Sequence, residues 1–197
     1  MVERGQPFKS ESDFLFECYS VRKNWTGTLG RIYPKVSSIP KSVRIAPDID
    51  LLEVKSIGQE DCIIGYEIKF LREKDPYQSF YTGLGETLCY FKHGIEKAYL
   101  ILGFFNTDRE TFKRVQTNIR LTTVFLAKQG LRLLDYLQVL QIGDSDNLHN
   151  HLSGVHDPRN KFPTSSDREA THIRDCIIRN QFEWGKIWLK NRLKSSK

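Results

Sequence analysis

Arg44-Ile45-Ala46-Pro47-Asp48-Ile49-Asp50-Leu51-Leu52-Glu53-Val54 is followed, after an intervening turn, by Gly65-Tyr66-Glu67-Ile68-Lys69-Phe70. Both pieces are rich in Ile, Leu and Val. They read as strands over Val43–Val54 and Cys62–Phe70, joined through Lys55–Asp61 with Gly58 at the turn. Residues two apart in a strand face one side, so Asp48 and Asp50 point together, and so do Glu67 and Lys69. If the strands are neighbours, three carboxylates and one ammonium converge on one patch. Three acids repel one another unless a cation is bound, and carboxylate oxygens suit hard ions such as Mg²⁺ or Mn²⁺. Glu53-Val54-Lys55 is a second Glu-x-Lys. It lies too close to Asp50 to form a facing-strand site and reads as a structural ion pair on a half-exposed face.

Outward from this pair, the chain alternates between helical and strand periodicities. Ser10 to about Arg22 is predicted to be a helix, with Ser10 as cap and Phe14, Leu15 and Cys18 on one face. The Gly-, Ser- and Pro-rich segment Asn24–Ser42 reads as irregular, with short extended pieces such as Arg31-Ile32-Tyr33. Pro76–Phe91 has helical spacing, Glu96–Phe105 is a nearly unbroken apolar strand of the kind covered on both faces, and Asp108 to about Lys128 is an amphipathic helix closed by Gly130. A strand over Leu131–Leu140, a polar loop over Gly143–Pro163 and one long helix over Thr164–Lys194 complete the reading. The order is that of an α/β protein: a mixed β-sheet flanked by helices, antiparallel at its start and then crossing over through helices. No internal boundary is visible. Residues 1–197 read as a single domain, with a core over about 10–140 and a C-terminal extension over 143–197.

Composition excludes several classes. The chain has 197 residues, 39% of them hydrophobic and 12% aromatic, enough to bury a core. No apolar run approaches the roughly 18 to 20 residues of a membrane span. Glu3, Glu11, Asp13 and Glu17 within the first twenty residues do not suit a secretory or organellar leader. Cys18, Cys62, Cys89 and Cys176 have no Cys-x-x-Cys spacing and read as reduced, mostly buried thiols, so a soluble cytoplasmic protein is expected. His149, His151 and His156 lie in a polar loop and read as solvated. Gly83-Leu84-Gly85 follows no strand and lacks the Gly-Lys-Ser/Thr of a phosphate loop. The aromatic residues Phe80, Tyr81, Tyr90 and Phe91 read as core.

The arrangement of Pro47-Asp48, Asp50 and Glu67-Ile68-Lys69 resembles the PD-(D/E)XK nuclease superfamily. The element order read from the sequence is similar to that family's αβββαβ core. The resemblance implies a restriction-endonuclease-like fold and a divalent-metal-dependent nuclease. It implies Asp50 or Asp48 as the metal-binding aspartate, Asp50 being favoured because three strand residues follow it directly. Glu67 is implied as the second metal ligand, the Ile68 carbonyl as a further one, and Lys69 as the catalytic lysine. Many members add a glutamate from the first helix, which falls here on Glu17 or Glu11. Gln78 and Tyr81 are similar to a Gln-x-x-x-Tyr motif of recombination nucleases, one residue shorter in spacing.

Charge gives independent support. Lys and Arg number 30 against 24 Asp and Glu, for a net charge of +6. From Cys18 to Pro47 the chain carries Arg22, Lys23, Arg31, Lys35, Lys41 and Arg44 and no acid, a layout suited to holding flanking phosphates. The expectation is therefore an enzyme that hydrolyses DNA phosphodiester bonds with Mg²⁺ or Mn²⁺, Lys69 positioning or activating the attacking water. A homodimer fits look-alikes that cut both strands. A non-cleaving module that binds nucleic acid or a protein, or a subunit needing a partner protein, is the alternative.

Overall fold

The computed structural model describes residues 8–26, 30–38, 44–57, 60–71, 76–105, 107–131, 135–143, 148–153, 161–162, 168–179 and 184–195. Its strands are β1 (Gly30–Ser38), β2 (Arg44–Ile57), β3 (Glu60–Phe70), β4 (Lys97–Phe104) and β5 (Leu137–Gly143). Its helices are α1 (Glu11–Thr26), α2 (Pro76–Cys89), α3 (Arg109–Lys128), α4 (Leu148–Ser153), α5 (Arg168–Ile178) and α6 (Trp184–Ser195), with a 3₁₀ turn at Tyr90–His93. The strands form one sheet in the order β1-β2-β3-β4-β5. The β1–β2 and β2–β3 pairs are antiparallel, and the β3–β4 and β4–β5 pairs are parallel. The chain is thus mixed α/β, with helices flanking a mixed sheet.

Local chemistry explains several boundaries. The Ser10 hydroxyl accepts from the Asp13 N–H at 3.2 Å and donates to the Asp13 carboxylate at 2.8 Å, which starts α1. Asp108 Oδ1 accepts from the Glu110 and Thr111 N–H groups, both at 2.9 Å, and starts α3. Gly130, at φ +79°, takes the left-handed conformation that ends it.

The sheet separates two apolar layers. Leu52, Val54, Ile63, Leu100 and Leu102 face one side with Phe80, Tyr90, Val115 and Ile173. Leu51, Ile64, Tyr66, Ile68, Tyr99 and Ile101 face the other, with Phe14, Leu15 and Cys18 of α1. All eight positions of β4 are buried, as its apolar sequence predicts.

Four expectations change. The segment Asn24–Ser42 holds a nine-residue strand, β1, where only short extended pieces are expected. Pro34 falls on an edge strand, the place in a sheet where proline is tolerated because one side of the strand carries no ladder. The last strand is displaced to Leu137–Gly143, where parallel pairing sets Leu137 beside Ala98 and Gly143 beside Phe104. Gly143–Pro163 contains α4, whose Leu152 is fully buried beneath α1. The long helix expected over Thr164–Lys194 is two helices. Ile173, Cys176 and Ile177 of α5 pack in one layer, and Trp188 and Leu189 of α6 against the other, so one straight helix cannot serve both. No described helix is long and apolar enough to cross a membrane.

Candidate active site

The site lies where the β2–β3 ladder gives way to side chains. The register between these strands runs from Ile57 opposite Glu60 to Leu51 opposite Tyr66. Beyond it, the Ile68 N–H donates to Asp50 Oδ2 at 2.9 Å, and the Phe70 N–H donates to Glu11 Oε2 at 3.2 Å. Two carboxylates, one from β2 and one from α1, thereby satisfy successive donors on this edge of β3. A strand residue's N–H and C=O leave on the same side, so the Ile68 carbonyl is directed toward β2 as well.

Glu67 and Lys69 stand on the α2 face of the sheet. Glu67 Oε1 lies 2.6 Å from Lys69 Nζ, and Glu67 Oε2 accepts from the Tyr90 hydroxyl. Lys69 Nζ also lies 2.6 Å from Glu86 Oε2 of α2, so the ammonium sits between two carboxylates. Asp50 Oδ1 accepts from Lys35 Nζ of β1. Asp50 and Glu67 are buried, at 6% and 3% exposure. Gly83 makes room for this packing, since a Cβ there would meet Lys69 Cγ at 2.8 Å and Leu100 Cδ1 at 2.7 Å.

The electrostatics follow from burial and crowding. Loss of solvent, then the nearby Asp50 charge, push the Glu67 carboxyl up to about 9, against the opposing pull of Lys69 and Tyr90. Burial alone would lower the Lys69 ammonium, but Glu67 and then Glu86 raise it above its ordinary value. An ammonium held this way donates to both carboxylates and offsets their charge. Burial, then Glu67 and Asp50, push the Tyr90 hydroxyl well up, so it remains a donor.

The other anticipated residues are distributed differently. Asp48 is exposed, and its backbone carbonyl accepts from the Tyr90 hydroxyl at 3.3 Å. The expected three-acid patch is therefore an Asp50–Glu67 pair, and among the described residues no group of three or more His, Cys, Asp or Glu side chains is placed to hold a metal. Glu17 is exposed on α1, whereas Glu11, in the first turn of the helix, reaches β3. Gln78 is exposed on α2, and Tyr81 accepts from Asn118 at 3.3 Å and lies 3.5 Å from the Thr122 hydroxyl.

Arg22, expected at a phosphate, is buried instead. It donates to Glu53 Oε2 at 2.6 Å and to the Leu152 carbonyl at 2.7 Å, leaving no face for a ligand. The same contact corrects Glu53, which is wholly buried and paired with Arg22, not half-exposed. Lys23 is exposed above the Tyr19 ring. Arg31 is exposed, bonded to the Ile178 carbonyl and 3.7 Å from Asp61. Lys41, His156 and the side chains of Arg44, His149 and His151 lie outside the described residues.

Glu86 and Tyr90 join the site without belonging to any motif in the sequence, and Lys35, expected at nucleic acid, faces Asp50 instead. A signal for Glu86 is present: it follows Gly83 by three residues, so both share the helix face that meets β3. Lys35 is found by register. Pro34 pairs with Leu51 and Val36 with Ile49, which sets Lys35 across from Asp50.

Comparison of the chain with known protein families, with characterised proteins and with solved structures finds no match.

Proposed function

We propose that the protein is a divalent-metal-dependent nuclease that hydrolyses DNA phosphodiester bonds, with the restriction-endonuclease-like fold of the PD-(D/E)XK type. The observation that carries this reading is the convergence of Asp50, Glu67 and Lys69 at the opening between β2 and β3. The donors fit a hard cation in kind: two buried, mutually repelling carboxylates beside the Ile68 carbonyl, with ammonium groups already drawn to both acids. Asp50 and Glu67 would hold Mg²⁺ or Mn²⁺. The ion, when bound, supplies a water of lowered pKa and neutralises charge developing on the phosphate. Lys69, fixed by Glu86, orients that water or stabilises the phosphate oxygens. Tyr90 fixes the Glu67 carboxyl. Lys23 and Arg31 are exposed cations for flanking phosphates.

A second reading has its own support. Each oxygen of Asp50 and Glu67 already has a partner in Lys35, the Ile68 N–H, Lys69 or Tyr90. Such a satisfied cluster suits a non-cleaving module or a subunit completed by a partner protein.

Cleavage of labelled single-stranded, duplex and branched DNA with Mg²⁺ or Mn²⁺ separates the two. The nuclease reading expects metal-dependent cutting, lowered about 10²–10³-fold in Lys69→Ala with metal binding retained. It expects cutting and metal binding to vanish together in Glu67→Ala. Activity that survives both Asp50→Ala and Glu67→Ala overturns it, and binding without cutting on every substrate favours the second reading.

A further inference from the structure

We propose that Lys35 is the site's resident counter-cation: its ammonium occupies the place on Asp50 that a divalent ion takes, and metal loading requires the Lys35 side chain to leave. This inference rests on the metal-dependent reading of the site. It starts from the backbone. Lys35 has φ +48°, and among the described residues it is the one non-glycine in the left-handed region. A long side chain gains nothing intrinsically from that conformation, so tertiary contacts hold it there. Beside the irregularity between Val36 and Ser38, the strand sets Lys35 opposite Asp50, and the ammonium meets Oδ1.

The two lysines of the site are held differently. Lys69 lies deep, at 17% side-chain exposure, and keeps Glu86 as a partner however Glu67 is engaged. Lys35 stands at 38% side-chain exposure on the edge strand, and its described ion pair is with Asp50. Asp50 Oδ2 remains anchored by the Ile68 N–H, so withdrawal of Lys35 frees Oδ1 without releasing the carboxylate. Charge counting favours the withdrawal. Asp50, Glu67 and Glu86 are three carboxylates facing the two ammonium groups. A dication added with both ammonium groups in place leaves an excess positive charge within a few ångströms, which the low local dielectric penalises, and withdrawal of one ammonium removes it. The shallower ammonium, with a long flexible stem and a path to water, is the one that leaves.

The test is Mn²⁺ titration of the full chain by calorimetry in wild type, Lys35→Gly and Lys35→Met, with Lys113→Met on the exposed face of α3 as a control for charge elsewhere on the surface. Glycine suits φ +48° and methionine keeps the aliphatic stem, and melting curves establish that each variant is folded. Both Lys35 variants are expected to bind Mn²⁺ ~10-fold more tightly than wild type, and the Lys113 variant within ~2-fold of it. In wild type, amine labelling of Lys35 read by mass spectrometry should accelerate when Mn²⁺ is added. Unchanged or weaker Mn²⁺ affinity in the Lys35 variants, or Lys35 labelling unaffected by bound Mn²⁺, overturns the proposal and leaves the metal reading standing. Folded proteins that bind no Mn²⁺, wild type included, overturn the metal reading and this proposal together.

Discussion

The Arg22 guanidinium donates to the Glu53 carboxylate at 2.6 Å, and both side chains are buried between α1 and the sheet. The Tyr66 hydroxyl donates to the same Glu53 oxygen, and Arg22 also reaches the Leu152 carbonyl, so one ion pair ties α1, β2, β3 and α4 together. Removing one partner leaves the other charged and dry. Arg22→Ala or Glu53→Ala should each cost about 3–5 kcal/mol of stability. Arg22→Ala combined with Glu53→Ala should cost less than the two single changes added together. Denaturant unfolding with all three variants measures both quantities. Equal and additive small losses would show the pair to be unimportant to the fold.

Two glycines of α2 should respond in opposite directions. A Cβ at Gly85 meets nothing within 4 Å, so Gly85→Ala gains the helix-propensity difference and should stabilise by about 0.5–1 kcal/mol. At Gly83 the same methyl group would press on Lys69 and Leu100, and Gly83→Ala should destabilise by about 1–3 kcal/mol despite the better propensity. Thermal melts of the two variants side by side decide it, since a gain at both sites would mean that α2 can move off β3 freely.

The acid limb of stability should carry a contribution from Asp108. Hydrogen bonds from Thr111, helped by that from Glu110 and by the Arg114 charge, hold its carboxyl below the usual range. A carboxyl depressed on folding contributes stability above its unfolded value, about 4, and loses it as pH falls through the lower folded value. Asp108→Asn retains a cap without the titrating charge. The difference in melting temperature between wild type and this variant should shrink between about pH 4 and pH 2, and shrink further with salt because the site is open to solvent. A difference independent of pH contradicts the assignment.

Thiol chemistry should distinguish the four cysteines. Cys89, at the end of α2, is exposed, whereas Cys18, Cys62 and Cys176 are buried. Burial, with Glu17 and Asp50 adding to it, pushes the Cys18 thiol well up and keeps it un-ionised. A maleimide should modify Cys89 within minutes and leave Cys18 and Cys62 intact until the protein is unfolded. Mass spectrometry of the labelled native protein reads the pattern. Labelling of Cys18 at the same rate as Cys89 would mean that α1 opens from the sheet in the native state.

Features that depend on near neighbours along the chain are legible in the residues alone. Period-two runs marked β2 and β3 and set Glu67 and Lys69 on one face, helical spacing marked α1, α2 and α3, and Ser10, Asp108 and Gly130 marked helix ends through bonds spanning a few residues. The remaining features depend on register and on which face of the sheet an element covers, and these emerge only when the chain is folded. Arg22 and Glu53 are 31 positions apart, Glu11 and Phe70 are 59, and Lys35 and Asp50 are 15. No local pattern states that one basic residue of the Cys18–Pro47 segment is buried in an ion pair while another faces the candidate site. The same holds for Glu11 over Glu17, for Tyr90 and Glu86, and for the division of the C-terminal helix between two apolar layers. Strand pairing and burial are settled by the summed packing of segments far apart in the chain, and a side chain's role in the site follows from that packing.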